Sequence, residues 1–168
     1  EAFEMKIQRI QPGPNQESVW DYPRPAIAEA TSATIRVEFA GQTIAETRSA
    51  VRTLETSQPP TYYIPYQDVM ASALRPNPHR SLCEWKGQAR YFDLEMGDRR
   101  SELACWCYAA PTAAFSAIKD HIAFYPSRVD ACFVNGERVR AQSGDFYGGW
   151  ITSTVVGPFK GETGTLHW

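Results

Sequence analysis

A carboxylate followed by two tyrosines, in a stretch braced by prolines, is the first place in this sequence where the residue types suit chemistry. Glu55 precedes Pro59-Pro60-Thr61-Tyr62-Tyr63-Ile64-Pro65. If Val51 points inward, strand alternation turns Thr53 and Glu55 inward as well. A half-buried carboxylate there can act as a general base or anchor a ligand amide. In a purely structural role it would accept hydrogen bonds from Thr56, Thr61 or loop amides and tie the loop down. The second group is Trp85-Lys86-Gly87. Lys86 suits a phosphate or carboxylate, Trp85 can stack on a ring, and Gly87 lets backbone approach a ligand closely; equally, Gly87 can serve a turn with Trp85 in the core and Lys86 in solvent. The third is the run containing Tyr91, Trp106 and Tyr108, which either packs under a neighbouring helix or walls a pocket.

Metal chemistry is not expected. Cys83, Cys105, Cys107 and Cys132 include no Cys-x-x-Cys pair. Cys105 and Cys107 on one strand lie about 7 Å apart by strand rise, an awkward spacing for zinc, whose ligands favour a turn. His79, His121 and His167 add no metal spacing. The expectation is no metal and no cofactor. Asp145-Phe146-Tyr147-Gly148-Gly149-Trp150 forces a bend and presents Trp150, as a dimer contact, a lid over a pocket or plain tail packing.

The elements that must position these groups read as strands. Residues 34–39 alternate strictly, with Ile35, Val37 and Phe39 on one face. Gly41-Gln42 reads as a tight turn into a strand over residues 43–47, and another follows over 51–56. Prolines confine residues 57–80 to loops and short edges, with one or two helical turns between Asp68 and Leu74. Residues 90–96 and 99–108 form a hairpin about Gly97-Asp98, pairing Met96 with Arg99 and Glu95 with Arg100. That register puts Phe92, Leu94, Leu103, Cys105 and Cys107 on one face and Tyr91, Ala104, Trp106 and Tyr108 on the other. Pro111-Thr112 opens a short helix burying Phe115 and Ile118. Strands follow over 121–125, 129–134 and 137–140, the last two joined by Asn135-Gly136, with one more near 150–156.

At 168 residues, with 43% hydrophobic and 21% charged residues, the chain is an ordinary globular domain that needs no disulfide or metal to fold. A net charge of −2 with mixed signs argues against nucleic acid or anionic membrane as partner. No apolar run approaches the ~18–20 residues that span a bilayer. The first residues, Glu1-Ala2-Phe3-Glu4-Met5, carry no apolar secretory stretch, and scattered cysteines suit a reducing compartment. A cytoplasmic protein is the expectation. Residues 1–32 read as a proline-rich arm, 33–140 as the β domain and 141–168 as a Gly-rich tail packing on it. Arm or tail could join a homodimer.

Three segments carry a resemblance: Leu54-Glu55-Thr56-Ser57-Gln58-Pro59-Pro60-Thr61-Tyr62-Tyr63-Ile64-Pro65, Cys83-Glu84-Trp85-Lys86-Gly87, and Ile122-Ala123-Phe124-Tyr125-Pro126. In order and spacing they resemble the bacterial domain of unknown function 427 family, from about residue 34 to 139. The resemblance implies a small β fold similar to the β-tent proteins, among them methionine-R-sulfoxide reductases and the thalidomide-binding domain of cereblon. Such relatives commonly hold zinc through two Cys pairs, a pattern this chain lacks. The family has also carried a nucleotidyltransferase label. This chain has neither a Gly-Ser followed by paired Asp residues for Mg²⁺ nor a Gly-rich loop ending in Lys-Ser or Lys-Thr.

The expected architecture is therefore mainly β: a small antiparallel, β-tent-like domain with one or two short helices. The expected function is small-molecule binding in a pocket of Glu55, Tyr62, Tyr63, Trp85 and Lys86, with Trp106 and Tyr108 behind. A structural or protein-interaction domain without a catalytic site is the alternative, and a nucleotide-directed enzyme the third option. Whether the chain is an enzyme is left open by its residues.

Overall fold

The computed structural model describes residues 7–168; residues 1–6 of the proline-rich arm lie outside them. In chain order the strands are β1 (Glu17–Ser18), β2 (Ile27–Ala30), β3 (Ile35–Phe39), β4 (Gln42–Thr47), β5 (Val51–Leu54), β6 (Thr61–Pro65), β7 (Leu74–Cys83), β8 (Gly87–Met96), β9 (Arg99–Cys107), β10 (His121–Phe124), β11 (Ala131–Val134), β12 (Glu137–Arg138), β13 (Arg140–Ala141), β14 (Trp150–Ile151) and β15 (Val155–Val156). Helical structure among the described residues is limited to short 3-10 segments, the longest being Ala113–Ile118. The chain is thus mainly β. No helix of the described residues is long and apolar enough to cross a membrane.

A seven-stranded sheet runs β2-β5-β6-β10-β9-β8-β7, and a four-stranded sheet runs β12-β11-β3-β4. Period-two alternation builds the layer between them. Ile35, Val37 and Phe39 from β3, Ile64 from β6, Cys105 from β9, Ile122 and Phe124 from β10 and Cys132 from β11 share one core, each at most 1% exposed. The other face of the large sheet carries Val51, Tyr63, Tyr91, Trp106, Tyr108, Ala123 and Tyr125, partly roofed by Phe115 and Ile118. Phe115 and Ile118 are thus buried on one side of their segment, as their spacing predicts. Thr112 stands at its N-cap position, but its hydroxyl donates to the Trp85 carbonyl at 2.6 Å.

Proline density misled at three places. Ile27–Ala30 is an edge strand, because Pro23 and Pro25 fall before its first ladder residue. Thr61–Pro65 is an interior strand, since Pro59-Pro60 precede it and Pro65 closes it. Leu74–Cys83 is a ten-residue strand despite Pro76 and Pro78; it lies at the sheet edge, where a missing N–H costs no ladder partner. The first hairpin turn sits one residue earlier than expected. Ala40 and Gly41 both take positive φ (52° and 76°), and Phe39 pairs with Gln42.

The β8–β9 hairpin follows the expected register from Met96–Arg99 through Leu94–Ser101, then shifts, so that Phe92 faces Cys105. A bulge absorbs the shift, with Leu103 at φ 51°. Beyond it Ala104 joins Cys105 and Cys107 in the core and Leu103 packs against the aromatic face, the reverse of the simple alternation. Glu95 and Arg100 are paired in register, yet the Arg100 guanidinium reaches diagonally to Asp93 at 2.8 Å.

The N-terminal segment lies along the tail. β1 pairs in parallel with β15, and the Trp20 indole donates to the Pro158 carbonyl at 2.8 Å while its ring meets Trp168 edge-on. Arg52 fastens this segment to the sheet through Glu17 and Glu29. Burial raises the Glu17 carboxyl, but hydrogen bonds from Arg52 and Tyr22 and the guanidinium charge outweigh it and hold the group below its usual value.

Candidate functional site

The aromatic face of the large sheet is not fully roofed. A cavity of about 430 Å³ opens there, bounded on its other sides by the turn after β7 and by the tail. Thr53 and Glu55 enter it from β5 and the residue beyond, on the inward parity set by Val51. Tyr63 comes from β6, Tyr91 from β8, and Trp106 and Tyr108 from β9 and its continuation. Cys83 and Lys86 reach in from the β7–β8 turn. Glu55 and Lys86 thus face one space from strands on opposite sides of β6, β10 and β9.

Two residues expected in the pocket are elsewhere. Tyr62 is adjacent to Tyr63 in an extended strand, so its side chain must point to the opposite face. It packs in the main core with its ring 5.1 Å from that of Trp150. Trp85 is 39% exposed on the outside of the turn that turns Lys86 inward, and it does not line the cavity. Gly87 also serves its own chain rather than a ligand. Its φ is +109°, and a Cβ there would lie 3.3 Å from the Ala110 carbonyl oxygen.

Several lining residues were not singled out. Tyr125 lines the cavity by continuing the parity of Ala123, which the alternation of β10 contains. Ser81 joins it from the long edge strand that prolines disguised, its hydroxyl 2.7 Å from that of Tyr91. Gln142 reaches back from the tail, donating to Gln58 at 2.8 Å and to the Lys160 carbonyl. Phe146, Tyr147 and Gly148 form the rim on the tail side. Trp150 is not presented outward but packs in the main core, while residues 146–148 form a flap lying against the cavity.

The walls are ordered by ring contacts. Trp106 lies 4.5 Å from Tyr125 by ring centroids, and meets Tyr63 edge-on with Nε1 donating to the Tyr63 hydroxyl at 3.4 Å. Burial pushes the Tyr63, Tyr108 and Tyr125 phenols well above their ordinary value, so they remain protonated donors. The Lys86 ammonium lies 3.9 Å from Cys83 Sγ and 5.6 Å from the centre of the Phe115 ring. Cys105 and Cys107 sit in the core, where burial raises both thiols, away from this chemistry. Among the described residues no group of three His, Cys, Asp or Glu side chains is placed to hold a metal ion.

Gly148 makes the flap fit. A Cβ there would collide with Trp106 Cη2 and lie 3.1 Å from Cζ3. Gly148→Ala is expected to lower stability by about 1–3 kcal/mol, the usual cost of overpacking. Thermal unfolding of the purified variant measures it; an unchanged midpoint would mean that the flap does not rest on the indole.

These features define a mainly antiparallel β protein with an aromatic-walled cavity on one face of its larger sheet. The chain belongs to the family described as Domain of unknown function (DUF427), whose model matches residues 27–135. The match takes in β2, inside the stretch read from sequence as an arm, and ends at the Asn135-Gly136 turn. No curated protein matches the chain.

Proposed function

We propose that this domain binds a small, largely planar organic molecule in the cavity between Glu55 and Lys86. One observation carries the reading. Two side chains of opposite charge enter a single space floored by Tyr63, Trp106 and Tyr108. A volume of about 430 Å³ falls within the ~300–1,000 Å³ typical of ligand sites, and such sites combine apolar walls with a few converging polar groups. The rim supports the same reading. Leu82 and Phe146 line the mouth and are 82% and 77% exposed, apolar surface that a seated ligand would cover.

Binding raises stability by mass action, by about 2.7 kcal/mol at a hundredfold excess over Kd. Screening planar aromatic fragments at about millimolar concentration by thermal shift should therefore yield stabilising compounds. Those shifts should vanish in Trp106→Leu, a variant whose own folded state is checked by circular dichroism. If no fragment stabilises the wild-type protein, or the variant responds equally, the reading is wrong.

A further inference from the structure

Glu55, Lys86 and Lys160 bring charge of both signs to the cavity, and this gives its ligand a chemical class. Tyr108 is only 5% exposed and lines the cavity. The Tyr91 and Tyr63 hydroxyls are engaged by Ser81 and Trp106. The Tyr108 hydroxyl has no hydrogen-bond partner among the described residues; burial and the nearby Tyr63 and Cys83 groups chiefly govern its titration. The buried side-chain polar atoms without a partner among the described residues are Arg36 Nε and Ser57 Oγ, so the Tyr108 hydroxyl opens to the cavity, where a ligand oxygen can accept from it. Close by, Lys86 contacts a thiol and an aromatic ring, neither of which neutralises an ammonium. At the far side of the sheet order stands Glu55, which accepts from a donor; Lys160, whose backbone N–H bonds the Ser57 carbonyl, lines the cavity on that side too.

We infer that the ligand is an aromatic monocarboxylate: its ring lies against Trp106 and Tyr63, its carboxylate meets Lys86 and the Tyr108 hydroxyl, and a hydrogen-bond donor at its other end meets Glu55. The inference rests on the cavity being a ligand site. A phosphate ester fits less well. A lysine meets a phosphate only as a point charge, and the lining contains no arginine to grip it bidentately. Leu82 and Phe146 at the mouth would flank any substituent projecting outward.

The test is isothermal titration calorimetry of the full chain with four probes, three sharing a para-hydroxyphenyl ring: para-hydroxyphenylpropanoate, its primary amide, tyramine and, without the hydroxyl, phenyl phosphate. The carboxylate should bind about tenfold or more tighter than the others, a difference of one charge-assisted contact. Lys86→Met should erase that preference by weakening the carboxylate alone, and Tyr108→Phe should weaken it about five- to tenfold while leaving tyramine unchanged. Amide or amine binding as tightly as the carboxylate would overturn the assignment of charge yet leave the ligand site standing. Tighter phenyl phosphate would overturn it in favour of a phosphate ester. If all four fail to bind while other fragments stabilise the protein, the ligand class is wrong; if no fragment binds at all, the ligand site itself falls with it.

Discussion

Trp150→Ala is expected to remove about 3–5 kcal/mol of stability, the cost of emptying a large aromatic site in a packed core. Trp150 is 1% exposed and anchors more than its own volume. Its ring packs on Tyr62, its indole donates to the Phe124 carbonyl at 3.1 Å, and its backbone N–H donates to the Pro60 carbonyl at 2.8 Å. Truncation leaves the Phe124 acceptor unpaired and a cavity between β6, β10 and the tail. For a domain of this size each kcal/mol shifts the melting midpoint by about 2–4 °C, so a fall of roughly 6–20 °C is expected in calorimetry. A fall of under about 2 °C would mean that the tail does not form part of the core.

The second large effect is at the β8–β9 bulge. Asp93 is 4% exposed and accepts three hydrogen bonds: from the Leu103 backbone N–H at 2.9 Å, from Asn77 Nδ2 at 3.0 Å and from Arg100 at 2.8 Å. Burial alone would raise its carboxyl. The three donors and the Arg100 charge outweigh burial and hold it below its ordinary value of 3.8. Asp93→Ala strands the Leu103 N–H in a backbone conformation that exists only because of the bulge, while the exposed Arg100 returns to water, and should cost about 1–3 kcal/mol. Asp93→Asn retains one acceptor and should cost less, about 0.5–1.5 kcal/mol. The pH dependence follows from the direction of the shift. A carboxyl depressed in the folded state stabilises fully above its unfolded value, near 3.9, and this contribution is lost as pH falls through the lower folded value. Wild-type stability should therefore decline below about pH 4, and Asp93→Asn should flatten that decline. Equal acid sensitivity of the two proteins in urea titrations would contradict this assignment.

Much of the scaffold was legible because it is written in period-two alternation. Ile35, Val37 and Phe39 bury as a set, and the tight turns at Gly97-Asp98 and Asn135-Gly136 fall where their residues place them. Failures trace to information that alternation does not carry. A proline bars a residue from an interior ladder but leaves edges and strand ends open, which is why β2, β6 and β7 were hidden. A bulge reverses parity without a residue type that announces it, which is why Leu103 and Ala104 exchanged faces. In the site, Glu55, Tyr63, Lys86, Trp106 and Tyr108 line one cavity, the strand residues among them because each lies on an inward parity. Tyr62 does not, for the same reason: β6 carries no bulge, and neighbouring residues of a regular strand point to opposite faces. Trp85 does not because the direction of a side chain in a turn depends on local φ and ψ. Gln142 and Phe146 depend on where the tail folds back, a long-range outcome that no local pattern encodes.

The most direct measurement is crystallographic: crystals of the full chain soaked with the most stabilising fragment. Density for a planar molecule lying on Trp106 with polar ends toward Lys86 and Glu55 is the expected result. Density confined to the outer surface, with water filling the space between those two side chains, would contradict the account.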